Sequence, residues 1–163
     1  MTFNKRSGVA GLTLVFGVLA LVLVQGQAKP MCDPDNGGLK LPMGFCALVG
    51  ADNLGVARHM AVAPNGDLYV ALQTSGGRGQ PQTGGGAVAL RDANGDGRFE
   101  VKELFGSGST TGIALRNGHV YLAHPLTIER MRLTSGTLKP AGAPETIVTG
   151  LPTETQHQDN GIA

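Results

Sequence analysis

Two segments of the chain share one pattern of apolar and polar positions. Arg58 to Leu72 reads RHMAVAPNGDLYVAL, and Thr111 to His124 reads TGIALRNGHVYLAH. Each places an apolar residue before Ala, then a short apolar run and a turn carrying Asn-Gly. An apolar-Tyr-apolar-Ala run follows. Asn-Gly between alternating apolar residues is the strongest short-range hairpin signal, because a two-residue type I′ turn needs positive φ at both central positions. Both segments are therefore predicted to be β-hairpins. Further strands are predicted over Ala87–Leu90, Thr127–Leu133 and Glu145–Val148, giving about four short strands per unit.

The units repeat. Met60 and Ile113 hold the same place 53 residues apart, and Gly161-Ile162-Ala163 copies Gly112-Ile113-Ala114 after 49. A period near fifty with four strands per unit points to propeller blades rather than a helical solenoid. The predicted fold class is all-β, with two propeller blades and the stub of a third. Two blades and a stub cannot close a ring and so hide their sheet edges. The chain therefore reads as the N-terminal part of a longer protein, the alternative being a small complete β domain. The 26 glycines follow no triplet pattern, which excludes collagen and fits a turn-rich β protein.

The first 28 residues read as a targeting segment. Lys5 and Arg6 precede the uncharged run LTLVFGVLALVLV from Leu12 to Val24, and Gly26-Gln27-Ala28 offers small residues for cleavage. An uncleaved membrane anchor over Gly8–Val24 is the alternative, since that length sits near the lower limit for a span. Either way the rest of the chain is exported, to a periplasmic or extracellular space. There Cys32 and Cys46, close together in a Gly/Pro/Asn-rich stretch, are expected to form a disulfide. This divides the chain into a leader (1–28), a disulfide-bearing arm (29–57) and a partial propeller (58–163). The formal net charge of +1, with no basic run after the leader, argues against a nucleic-acid partner.

Candidate chemistry begins with DANGDGRFEVKE, Asp92 to Glu103, which fits the calcium-loop pattern at every specified position. Asp92, Asn94 and Asp96 would offer side-chain oxygens, Arg98 its backbone carbonyl and Glu103 a bidentate carboxylate. An EF-hand is excluded, because the three glycines Gly84–Gly86 upstream oppose an entering helix. Downstream, Phe99–Phe105 is expected to make one or two helical turns before Gly106. Two readings stay open: a Ca²⁺ loop joining strands, or an Asp/Asn/Gly turn bonded to its own backbone. The glycine-rich stretches Gly76–Gly79 and Gly84–Gly86 are expected to form a flexible excursion between Leu72 and Ala87. His59 and His124 fall at predicted strand ends, and His119 lies beside a turn, where it should be exposed. No three histidines have spacing for zinc or copper.

The blade segments, the connection GGAVALRDANGDGRFEVKELFGSGSTTGIALRNGHVYLAHP and the run PETIVTGLPTETQHQDNGIA together resemble the glucose/sorbosone dehydrogenase family, and within it the sorbosone-dehydrogenase-like branch. The resemblance covers most of the chain from about Cys32. It implies a six-bladed β-propeller that binds pyrroloquinoline quinone (PQQ) and oxidises a sugar or polyol hydroxyl or a hydrated aldehyde. In that family a His several residues after Gly-Leu-Pro is the general base. Here Gly150-Leu151-Pro152 leads to His157, which inherits the role. Gln156 stands where the soluble glucose-oxidising relatives carry Asp. The residues that clamp PQQ belong to later blades and have no counterpart in this chain. The alternative function is a non-catalytic exported propeller segment that binds a glycan or protein partner and uses the Asp92 loop as a structural calcium site.

Overall fold

A computed structural model describes residues 30–76, 80–152 and 161–162. It contains eight strands in two four-stranded antiparallel sheets of order β1-β2-β3-β4 and β5-β6-β7-β8. The strands are β1 (Val56–Val62), β2 (Leu68–Ser75), β3 (Thr83–Arg91), β4 (Val101–Phe105), β5 (Gly112–Arg116), β6 (His119–Ala123), β7 (Thr127–Arg132) and β8 (Ala141–Thr149). Every strand pairs with its sequence neighbour, the meander of a propeller blade.

The Asn-Gly signals work in two ways. Asn117 (φ 49°) and Gly118 (φ 70°) both take positive φ, the type I′ geometry that joins β5 to β6 directly. In the first hairpin Pro64 occupies the second turn position and Gly66 (φ 90°) closes the turn, its N–H donating to Ala63 O at 2.9 Å. The connection between β1 and β2 is consequently longer.

The two sheets share a core. Tyr69, Ala71, Ala87 and Ala89 of the first sheet meet Ile113, Val120, Leu122 and Met131 of the second. Three alanines on one side leave room for the larger side chains opposite, which lets the layers approach closely. Phe105 stands edge-on to Tyr69, with ring centroids 6.2 Å apart. The Tyr69 hydroxyl donates to Leu138 O at 2.8 Å, tying the β7–β8 loop across to the first sheet. Burial pushes the Tyr69 pKa up to about 12, so the hydroxyl stays a neutral donor at any ordinary pH.

The other face of the first sheet carries Val70, Leu72, Val88 and Leu90, covered by Ala51 and Leu54 of the arm and by Phe99. The arm is pinned at its base. The expected disulfide links Cys32 to Cys46. Asp33 beside it accepts from Val49 N at 2.7 Å and from the Arg98 guanidinium at 2.5 Å. Those two partners, the Val49 amide first, hold the Asp33 carboxyl below the usual carboxylate range.

Two expectations are corrected. Residues 101–105 form strand β4 and make no helical turns, because Val101 to Phe105 pair residue by residue with Arg91 to Ala87. Gly84–Gly86 belong to β3 and make no loose excursion. All three have positive φ, and a Cβ on Gly86 would stand 2.6 Å from Phe105 O. The glycines let β3 run close beneath the chain leaving β4, where Gly86 N donates to Gly108 O at 2.6 Å. Residues 77–79 lie outside the described part.

Candidate functional site

Strand direction sorts the loops to two ends of the paired sheets. The β2–β3, β4–β5 and β6–β7 connections and the segment after β8 share one end, and the β1–β2, β3–β4, β5–β6 and β7–β8 connections share the other.

The Asp92 loop joins β3 to β4 at the second end. Asp92 caps it: Oδ1 accepts from Gly95 N at 2.6 Å and Asp96 N at 3.2 Å, and Oδ2 from Gly97 N at 2.8 Å. Burial works to raise the Asp92 pKa, and the amides of Gly97, Gly95 and Asp96 outweigh it, leaving the carboxyl below its ordinary value. Asn94 Oδ1 accepts from Asp96 N and Asp96 Oδ1 from Arg98 N, each at 2.8 Å. Flanking strands replace the helices an EF-hand requires.

The acidic group differs in one member from the sequence pattern. Asp92, Asp96 and Glu100 each bring an oxygen within 4.8 Å of the others. Glu100 also accepts from Ala93 N at 2.9 Å. Glu103 sits in β4 opposite Ala89, outside this group. The Arg98 side chain turns to Asp33 and to Val49 O, so its charge is matched by the arm. Three carboxylates on a tight loop form a hard-oxygen set of the kind Ca²⁺ takes.

At the first end lies a polar cluster that no motif in the chain marks. His124 is nearly buried, and Thr110 and Thr111 are wholly so. His124 Nδ1 is 3.0 Å from Ser109 O; a carbonyl only accepts, so Nδ1 carries the proton of that bond. Nε2 lies 3.3 Å from Glu129 Oε2. Thr111 N donates to Ala123 O, and His124 N to Thr127 O. The cluster thus ties the β4–β5 connection to the β6–β7 hairpin. Glu129 follows His124 by five residues across a short hairpin, and that spacing was the available signal. His119 is half-buried rather than exposed, its ring against Tyr121 and its Nδ1 2.9 Å from Asn117 O.

The segment after β8 leaves from this same end, where Leu151 N donates to Leu126 O at 3.1 Å. It leads towards Gln156 and His157, which lie outside the described residues, as does the leader. Among the described residues no helix is long and apolar enough to cross a membrane.

A second buried ionic site joins the hairpin turn to β3. Asp67 is 3 % exposed, and Arg91 holds it bidentately at 2.7 and 2.6 Å. Asn65 Nδ2 adds a third bond at 2.8 Å. Arg91 above all holds the Asp67 carboxyl below its ordinary pKa.

Two meandering four-stranded sheets, packed face to face with their connections sorted to two ends, define neighbouring blades of a β-propeller. A solved structure shares this fold: the holo form of the PQQ domain of pyranose dehydrogenase from Coprinopsis cinerea. It matches with a TM-score of 0.53 at 15 % sequence identity over 69 % of this chain. The chain spans 25 % of that domain's length. No family model and no curated protein matches the sequence.

Proposed function

We propose that the chain is the N-terminal part of an exported quinoprotein dehydrogenase that oxidises a sugar or polyol hydroxyl, or a hydrated aldehyde, with PQQ. The observation that carries this reading is the blade fold shared with the PQQ domain of a pyranose dehydrogenase. The sequence resemblance to the sorbosone branch, resting on other features, agrees with it. The Cys32–Cys46 disulfide fits export to an oxidising compartment.

His157 is the proposed general base. A bound substrate hydroxyl would lose its proton to the imidazole, whose unperturbed pKa near 6.5 suits that transfer around neutral pH. PQQ, when bound, supplies the hydride acceptor. The described residues of this end do not fit the quinone by themselves. Three carboxylates call for several cations, and Arg58 near the start of β1 is the one arginine or lysine described there. The residues that hold PQQ are therefore assigned to later blades. The test is equilibrium titration of the full-length gene product with PQQ. One quinone per chain is expected, and failure to bind would favour the non-catalytic reading, a propeller segment that binds a glycan or protein partner.

In either reading a Ca²⁺ on the Asp92 loop is structural, because the loop lies at the opposite end from the segment leading to His157. Its ligands would be Asp92, Asp96 and Glu100, with Asn94 and the Arg98 carbonyl from the sequence pattern. Calorimetry is expected to show Ca²⁺ heat in the native chain and in Glu103→Ala, and none in Asp92→Ala or Glu100→Ala. Identical heats in all four would leave only a backbone-bonded turn.

A further inference from the structure

Five large apolar residues lie between Met31 and Phe45, and every one of them faces water. Met43 is fully exposed. Met31, Phe45, Leu39 and Leu41 expose 78, 71, 59 and 37 % of their surface. Single exposed apolar residues are ordinary, but a run of them marks a surface that meets another apolar phase.

The polar side chains of the same loop are engaged in holding it. Asn36 Oδ1 accepts from Ala47 N and Asp35 Oδ1 from Gly37 N, each at 3.1 Å, while Asp33 serves Val49 N and Arg98. The Cys32–Cys46 disulfide closes the loop at its base. Backbone bonds from Gly38 N to Asp35 O and from Phe45 N to Pro42 O brace it from within. The loop is thus ordered before it meets anything, so docking its apolar side chains costs little backbone entropy. Between Asn36 and Ala51, Lys40 is the one charged residue.

We propose that the loop closed by Cys32 and Cys46 docks on a phospholipid bilayer, lodging Leu41, Met43 and Phe45 at the hydrocarbon boundary with Lys40 against anionic headgroups. The chain before the loop favours this occupant. The uncharged run Leu12–Val24 ends seven residues before Met31, a stretch that reaches at most about 25 Å. Export, which belongs to the reading above, would deliver the loop to a bilayer surface whether the leader is then cleaved or kept. A pairing protein strand finds little to bind here. Asn36, Gly37, Gly38 and Gly44 have positive φ and break the extended backbone, and Pro42 has no N–H to donate. Aromatic and aliphatic side chains beside a lysine match the boundary between acyl chains and headgroups.

The test uses the exported protein with the N-terminus it carries when recovered. Met43→Cys is labelled with the fluorophore NBD under non-reducing conditions and mixed with phosphatidylglycerol/phosphatidylethanolamine vesicles. Leu126→Cys, 52 % exposed in the β6–β7 connection at the first end, is the control. The probe at 43 is expected to brighten at least about threefold and to be quenched by nitroxide-labelled lipid, while the probe at 126 does neither. Adding Leu41→Ser and Phe45→Ser, both at exposed positions, should weaken the partition read at 43 at least about tenfold. Lys40→Gln should weaken it about fivefold. A probe at 43 that stays in water beside vesicles would overturn the proposal. So would equal responses at 43 and 126, or a probe at 43 already shielded without lipid, which would show the patch covered by more of the chain or by a second copy. None of these readouts depends on PQQ or on turnover.

Discussion

Asp67→Ala is expected to lower the unfolding free energy by about 3 kcal/mol, read from urea denaturation. The carboxylate is 3 % exposed and serves two partners, the Arg91 guanidinium and the Asn65 amide. Its removal leaves a charge in a site built to neutralise it. The Arg91 side chain keeps 32 % of its surface in water, which holds the cost to the lower end of the range for a broken buried pair. Asp67→Asn keeps the shape and loses the charge, so its cost should be smaller, about 1–2 kcal/mol. The pair also sets a pH dependence. The folded pKa of Asp67 lies below its unfolded value of about 3.9, so the stabilisation is fully present above that value. It is lost as pH falls through the folded pKa. Native protein should therefore lose stability below about pH 4 more steeply than Asp67→Asn. Parallel acid limbs would contradict the assignment.

Leu122→Ala is expected to cost a similar amount, about 3 kcal/mol, through lost burial and a residual cavity. Leu122 is completely buried in the core between the sheets. The alanines facing it from the first sheet carry no side chain long enough to fill the space. Leu104→Ala in β4 is the comparison, since Leu104 is 68 % exposed; its change should stay within about 0.5 kcal/mol. Equal losses in the two variants would show that the sheets do not share the core described.

The hairpins were legible because their signal is local: Asn-Gly between apolar runs fixes turn and register within fifteen residues. Residues 101–105 were misread for a physical reason. The blade has neighbours on both faces, so the alternation of Val101, Glu103 and Phe105 with Lys102 and Leu104 carries no clean polar side. Gly84–Gly86 were misread because a glycine that opens a chain and one that admits a neighbouring backbone look alike until the neighbour, here Gly106–Gly108, is known. The Asp67–Arg91 pair is 24 residues apart in sequence and is joined by the β2–β3 pairing. The Asp/Asn/Gly spacing marked the β3–β4 loop, where Asp92 and Asp96 lie together with Glu100. It placed the last carboxylate at Glu103, whereas the start of β4 carries that residue away and leaves Glu100 beside Asp92.

Dye-linked turnover of the full-length gene product, loaded with PQQ and Ca²⁺, tests the central claim most directly. The native protein should reduce the dye with a sugar, polyol or sugar aldehyde as donor. His157→Ala should lose about a hundredfold or more of that rate, the share a positioned general base supplies, while still binding one quinone. Undiminished turnover in His157→Ala, or no turnover by native protein that binds the quinone, would contradict the account.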